Sequence, residues 1–164
     1  MMKYLKLILD KFLEVLLMVS VAVLVVDVLW QVFTRFIMGK PSSWTEELAT
    51  FLLIWVSLLG AAVALGRGAH LGIDYFTHKL SERDRIQIEL FVFAVVSLFS
   101  FLVMVIGGIG LVKQTLALAQ ISVALHIPMG YVYLAIPISG AFLVLYGMIG
   151  FFERVTMLKK GGAR

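Results

Sequence analysis

The sequence predicts an all-α integral membrane protein with four transmembrane helices. Both termini are expected in the cytoplasm, with an interfacial cytoplasmic segment between the second and third helices. Three observations carry this prediction. The chain has 164 residues and is 62% hydrophobic, with a mean hydropathy of +1.03, whereas soluble domains are roughly 45–50% apolar. Its apolar residues gather into four runs, each long enough for the roughly 20 residues that a bilayer crossing takes. Its charged residues, 15% of the chain, are clumped between those runs and at the ends. Residues 1–164 therefore read as one membrane domain with no separate soluble part.

The first run covers 12–38. It is far longer than the roughly 7–15-residue apolar region of a cleavable signal, and no small-x-small site follows it, so a retained signal-anchor is expected. Asp27 lies near its middle, where an ionised carboxylate costs roughly 2.5–3.5 kcal/mol on insertion scales. Asp27, Gln31, Thr34 and Arg35 share one stripe of this helix. A polar stripe at membrane depth faces protein or water rather than lipid. It serves either as a helix-contact surface or as a proton or ion relay. One acid without a second intramembrane acid or base favours contact.

The second run, 44–66, opens with "SSWTEELATFLLIWVSLLG". Ser43 followed by Glu46 fits S-x-x-E, in which Ser43 caps the helix and Glu46 reaches back to its backbone. Carboxylates in a first turn also favour the positive end of the helix dipole. Trp44 suits the aromatic belt of a membrane interface. Capping needs only one of the two glutamates, so Glu47 is free to meet a cation. Arg35, across a very short connection, is the candidate within the chain, and a partner subunit is the other. Gly60, Ala64 and Gly68 recur every fourth residue, as do Ser100, Met104 and Gly108 in the third run. Such spacing suits close helix association.

The segment "RGAHLGIDYFTHKLSERDR" mixes apolar and charged residues and is expected to lie along the interface. The third run covers 88–112 and the fourth 128–152. Between them "KQTLALAQISVALH" either extends the third helix beyond the membrane or lies on its outer surface. Pro137 is expected to kink the fourth helix.

Orientation comes from the basic residues. Lys3, Lys6 and Lys11, then Arg67, Lys79, Arg83 and Arg85, then Arg154, Lys159, Lys160 and Arg164 fall on one side. Only Arg35, Lys40 and Lys113 fall on the other, and positive charge is retained inside. This retention also accounts for the net charge of +4, and no aromatic-interleaved basic patch points to nucleic acid.

Several chemistries are excluded. The chain has no Cys, hence no disulfide or thiolate ligand. There is no phosphate-binding G-x-x-x-x-G-K-[ST] motif. The histidines, His70, His78 and His126, lie outside the hydrocarbon centre, which disfavours axial haem ligation. On a helix His70 and His78 would stand about 12 Å apart and could not share an ion with Asp74. No nucleophile–base arrangement is visible, so neither an enzyme nor a cofactor is expected.

The chain resembles the small membrane subunit (DctQ type) of tripartite ATP-independent periplasmic (TRAP) transporters. The likeness runs through Arg35-Phe36, Gly39, Pro41, Trp44-x-Glu46-Glu47, Gly60, Arg67-Gly68, His70 and Asp74. It continues in "ALHIPMGYVYLAIPISG", through Pro128, Tyr133, Ala135 and Pro137. One departure is Gly130, where relatives often carry a bulkier residue. The resemblance implies a multi-pass protein of the bacterial inner membrane. It implies a scaffold for a large permease subunit that imports an organic anion with sodium. The anion, a carboxylate such as a C4-dicarboxylate or a sialic acid, would arrive on a periplasmic binding protein. Substrate and sodium would be held by the other subunits. Asp27, Gln31, Arg35, Trp44, Glu46, Glu47, Arg67, His70 and Asp74 would then be structural or subunit-contact residues. Two other readings compete. One is a small proton-coupled exporter using Glu14 or Asp27 as its membrane acid. The other is a membrane anchor for a redox complex.

Overall fold

Helix order follows the four apolar runs, but the helices outlast them. The computed structural model describes residues 2–40, 42–67 and 82–161. Its elements are α1 (Met2–Phe36), α2 (Ser43–Gly66), α3 (Glu82–Phe99), a π-helical segment (Ser100–Gly107), α4 (Gly108–Ala117), α5 (Met129–Tyr133) and α6 (Ala135–Gly161). Among the described residues four stretches are long and apolar enough to cross a membrane: Leu9–Phe36, Ser43–Gly66, Asp84–Ala117 and Met129–Leu158. The segment expected to lie along the interface, with His70 and Asp74, falls mostly within 68–81, outside the described residues.

Chain direction alternates, which gives the bundle two ends. One, the loop end, carries residues 37–40, 42 and 118–128. The other carries the start of α1, the end of α2, the start of α3 and the end of α6. At the loop end α1 stops because Gly39 takes a left-handed conformation (φ +65°). The Lys40 N–H then returns to Thr34 O at 3.3 Å. A left-handed glycine is a common helix stop, since it meets no Cβ clash there.

The start of α2 differs from the expected capping box. Ser42, not Ser43, occupies the cap position (φ −89°, ψ 112°), and it makes no side-chain cap bond. Instead Thr45 donates to Ser42 O at 2.8 Å. Glu46 is exposed, so its contribution is reduced to charge near the helix dipole.

The third membrane crossing is one continuous rod made of α3, the π segment and α4. Its far end answers the question of 113–127. The helix extends through Ala117 and then gives way to an irregular loop. The fourth crossing breaks at Leu134, between α5 and α6. Pro137 accounts for the break: its ring excludes the hydrogen bond to residue 133. Ile138 N–H bonds Leu134 O instead, at 3.2 Å.

α1 and α2 form an antiparallel hairpin, and α6 packs against both α2 and the third rod. Leu13, Leu59, Ala62, Leu65, Phe93, Met104, Leu143 and Tyr146 meet in the core. Lipid is as apolar as leucine, so close van der Waals packing must hold the helices together. α6 supplies the notches. A Cβ on Gly140 would stand 2.6 Å from Met104 Cβ, and one on Gly147 would collide with Ser97 Oγ. Ser100 and Met104 face the Gly140 notch, Gly108 lies against Ile136 and Pro137, and all three are buried. By contrast, a Cβ on Gly60 would meet nothing within 4 Å, and Ala64 is exposed. That small-residue stripe faces away from the bundle.

Candidate functional site

The loop end is organised by one carboxylate. Glu47 sits in the first turns of α2, partly buried. Its Oε1 accepts the Val123 N–H at 3.1 Å. Its Oε2 accepts those of Ala124 at 2.9 Å and Leu125 at 2.8 Å. The Ser122 hydroxyl also bonds it. A carboxylate offers about four lone-pair sites, so these donors leave little capacity for a cation. The expected Glu47–Arg35 ion pair is accordingly not formed. Arg35 is exposed and lies over the Phe36 ring at 5.9 Å.

The loop that Glu47 holds is tightly wound. Ser122 N–H bonds Ile127 O at 2.9 Å, and Met129 N–H bonds Gln120 O at 2.9 Å. Ile127 N–H donates to Ser122 Oγ at 3.2 Å. Ala119 (φ 48°) and His126 (φ 56°) are left-handed, a conformation uncommon for residues with a Cβ. Gly130, just beyond, gives room to Leu116: a Cβ there would overlap the Leu116 side chain.

The polar stripe of α1 divides. Asp27 is 5% exposed and Thr34 is 6% exposed, whereas Gln31 is partly buried. Thr34 Oγ1 donates to Gln31 O at 3.0 Å. Neither carboxylate oxygen of Asp27 has a hydrogen-bond partner among the described residues. Trp44 is 43% exposed at the start of α2.

The opposite end is held by ion pairs that the spacing did not announce. Arg67 donates to Glu14 Oε1 through Nη2 at 2.7 Å and through Nε at 3.2 Å, joining the ends of α1 and α2. Glu14 is thus paired with an arginine rather than poised as a transport acid. Asp10, Glu14, Val63, Arg67 and Tyr146 line a cleft of about 10 Å³. That is room for about one water. On the neighbouring pair of helices, Arg85 Nε bonds Glu89 Oε1 at 3.0 Å. Arg154 of α6 meets the other oxygen of Glu89. An antiparallel hairpin brings acids early in one helix to bases late in the next, which is the signal that could have found Glu14 with Arg67. Among the described residues no group of acids or histidines is placed to hold a metal ion.

Comparison with known proteins now bears on this framework. Residues 23–157 match the family model described as "Tripartite ATP-independent periplasmic transporters, DctQ component". The chain belongs to the DctQ family. It is therefore a transporter component rather than an enzyme, a multi-pass protein of the inner membrane. The exporter and redox-anchor readings fall away. Among its relatives, the sialic acid TRAP transporter small permease protein SiaQ of Vibrio cholerae is 28% identical over 157 residues, covering 96% of this chain and 89% of that protein. The C4-dicarboxylate TRAP transporter small permease protein DctQ of Rhodobacter capsulatus is 31% identical over 98 residues, covering 60% of this chain and 43% of that protein. The isethionate TRAP transporter permease protein DctMQ of Oleidesulfovibrio alaskensis is 31% identical over 96 residues, covering 58% of this chain and 15% of that protein.

Proposed function

We propose that this DctQ-family chain is the small scaffold subunit of a TRAP transporter that imports an organic anion with sodium. A large permease subunit carries the substrate and sodium sites, and a periplasmic binding protein delivers the anion. The observation that supports this most is the near full-length match to a small permease protein. The relatives' names span a sialic acid, a C4-dicarboxylate and isethionate. Their shared chemistry is an organic acid that is anionic at neutral pH, and a carboxylate is the reading favoured here.

Both termini are proposed to be cytoplasmic, since eleven of the 14 basic residues fall on that side and positive charge is retained there. The Glu47-held loop then faces the periplasm. Asp27, Gln31, Arg35, Trp44, Glu46, Arg67, His70 and Asp74 serve structure or subunit contact, and Asp27 supports this reading by being buried without a partner of its own.

Two measurements test the proposal. Reporter fusions after Arg164 and within 77–85 should read cytoplasmic, and one within 40–42 should read periplasmic. The tagged chain, co-expressed with a large TRAP permease subunit from the same organism, should bring that permease through purification. Vesicles containing both should take up anion only with the binding protein and a sodium gradient. A chain that purifies without the permease and transports unaided would overturn the scaffold role.

A further inference from the structure

The loop between α4 and α5 combines two properties that rarely occur together in a solvated loop. Its most prominent exposed side chains are aliphatic, with Val123 89% exposed, Leu118 63% and Ile121 57%, beside the exposed polar side chains of Gln120 and His126. Its backbone donors are nevertheless almost all satisfied internally. Leu118, Ala119, Gln120 and Ser122 donate to main-chain carbonyls, Val123, Ala124 and Leu125 to Glu47, and Ile127 to Ser122 Oγ. From 118 to 127 only the N–H groups of Ile121 and His126 lack an acceptor among the described residues. A loop bathed in water has no need of this, because water satisfies its donors. A loop that enters a dry environment does need it, since each unsatisfied group there costs several kcal/mol.

The loop's depth follows from Glu47. Glu47 is three residues, or about 4.5 Å of helix rise, inside Trp44, and Trp44 marks the headgroup level. The charged residues exposed around this end are Arg35, Lys40 and Lys113, with Glu46 as the counter-charge and Glu47 engaged by the loop. An aliphatic knob at headgroup depth, beside an excess of exposed cations, fits a bilayer containing anionic phospholipid.

We propose that the 118–127 loop is an interfacial membrane anchor, with Leu118, Ile121 and Val123 seated at the headgroup–acyl boundary and Glu47 holding the loop in its insertable shape. The fixed loop then sets the height of α4 and α5 relative to the bilayer, a role independent of what the transporter carries.

The chain has no cysteine, so a single introduced thiol reports alone. Val123→Cys, and separately Ile121→Cys, would be spin-labelled in the full chain and reconstituted into nanodiscs of phosphatidylethanolamine and phosphatidylglycerol, with and without the large permease. Accessibility to oxygen and to a water-soluble nickel chelate would be measured by electron paramagnetic resonance. The anchor predicts oxygen access exceeding nickel access several-fold in both preparations, at a depth that decreases when phosphatidylcholine replaces phosphatidylglycerol. Glu47→Gln in the same background should raise nickel access and label mobility. High nickel access in the parent would show a water-facing loop and overturn the anchor. Shielding from both probes, with or without the permease, would show a protein contact and overturn it equally. An unchanged depth in Glu47→Gln would overturn the role given to Glu47. The permease-free sample keeps the test separate from the proposed transporter assembly.

Discussion

The two ends of this bundle use the same residue type in opposite ways. At the termini end Glu14 and Glu89 pair with arginines. At the loop end Glu47 pairs with peptide N–H groups. An arginine pair ties one side chain to another and leaves both backbones free to adjust. A carboxylate holding three successive amides fixes the path of the chain itself. The first solution joins helices that are already formed. The second creates order in a segment that has no helix to rely on.

The largest expected effect lies at the termini end, where Glu89 is buried. Glu89→Leu deprives the part-buried Arg154 guanidinium of its carboxylate, a loss that falls between the roughly 0–1 kcal/mol of an exposed pair and the roughly 3–5 kcal/mol of a fully buried one. The Tm of the purified chain in detergent should fall, and the double change Glu89→Leu with Arg154→Leu should recover most of the loss. An unchanged Tm in the single variant would place this pair in solvent and blur the contrast between the ends.

Next comes the loop. Glu47→Gln retains one carbonyl acceptor and loses the other oxygen, so protease cleavage within 118–127 should become several-fold faster. Arg35→Glu should leave that rate unchanged, and adding Arg35→Glu to Glu47→Arg should restore nothing. Rescue by the charge exchange would mean that the two ends use the same ion-pair device after all.

Asp27 belongs to neither pattern. Its carboxylate is buried and unpartnered, so Asp27→Leu should raise the Tm of the isolated chain, because an unsatisfied buried polar group costs roughly 1–3 kcal/mol. If Asp27 meets the large subunit, the same change should weaken co-purification, whereas Asp27→Asn should preserve it. Transport lost in an assembled Asp27→Asn complex would indicate a relay instead.

The smallest effect is expected for Arg67→Gln. This pair is substantially exposed, so its loss should cost about 0–1 kcal/mol, and added salt should shrink the difference further. Salt should leave the protease resistance of the Glu47 loop unaltered, since fixed hydrogen bonds at contact distance are not screened in the same way.

Much of the fold was legible because hydropathy alone demands it. The expected 44–66 helix is Ser43–Gly66, and Pro137 broke its helix as its ring requires. The extended ends of α1 and α3 were not legible, since polar residues can continue a helix beyond the apolar run without changing the hydropathy signal. The π-helical segment has no composition of its own: "SFLVMVIG" would read equally well as α-helix. Of the small-residue stripes, the one at Gly60 and Ala64 proved outward-facing, because spacing marks a smooth face and does not say what covers it. At the site, Asp27 and Thr34 of the polar stripe are buried, and burial alone does not say which partner they serve. The partners of Glu47 were invisible for a simpler reason. They are main-chain amides, and no residue type announces them.

The Glu47 contacts also impose an order on biogenesis. Val123 lies 76 residues beyond Glu47. At about 5–20 residues per second, its synthesis follows that of Glu47 by roughly 4–15 s. Once Gly66 has been made, the first hairpin is complete for the rest of that interval while its carboxylate has none of its eventual donors. An ionised, unsatisfied Glu47 is stable only where water can reach it, so the waiting side chain acts as a brake that stops α2 from sliding further into the bilayer before the rest of the bundle exists.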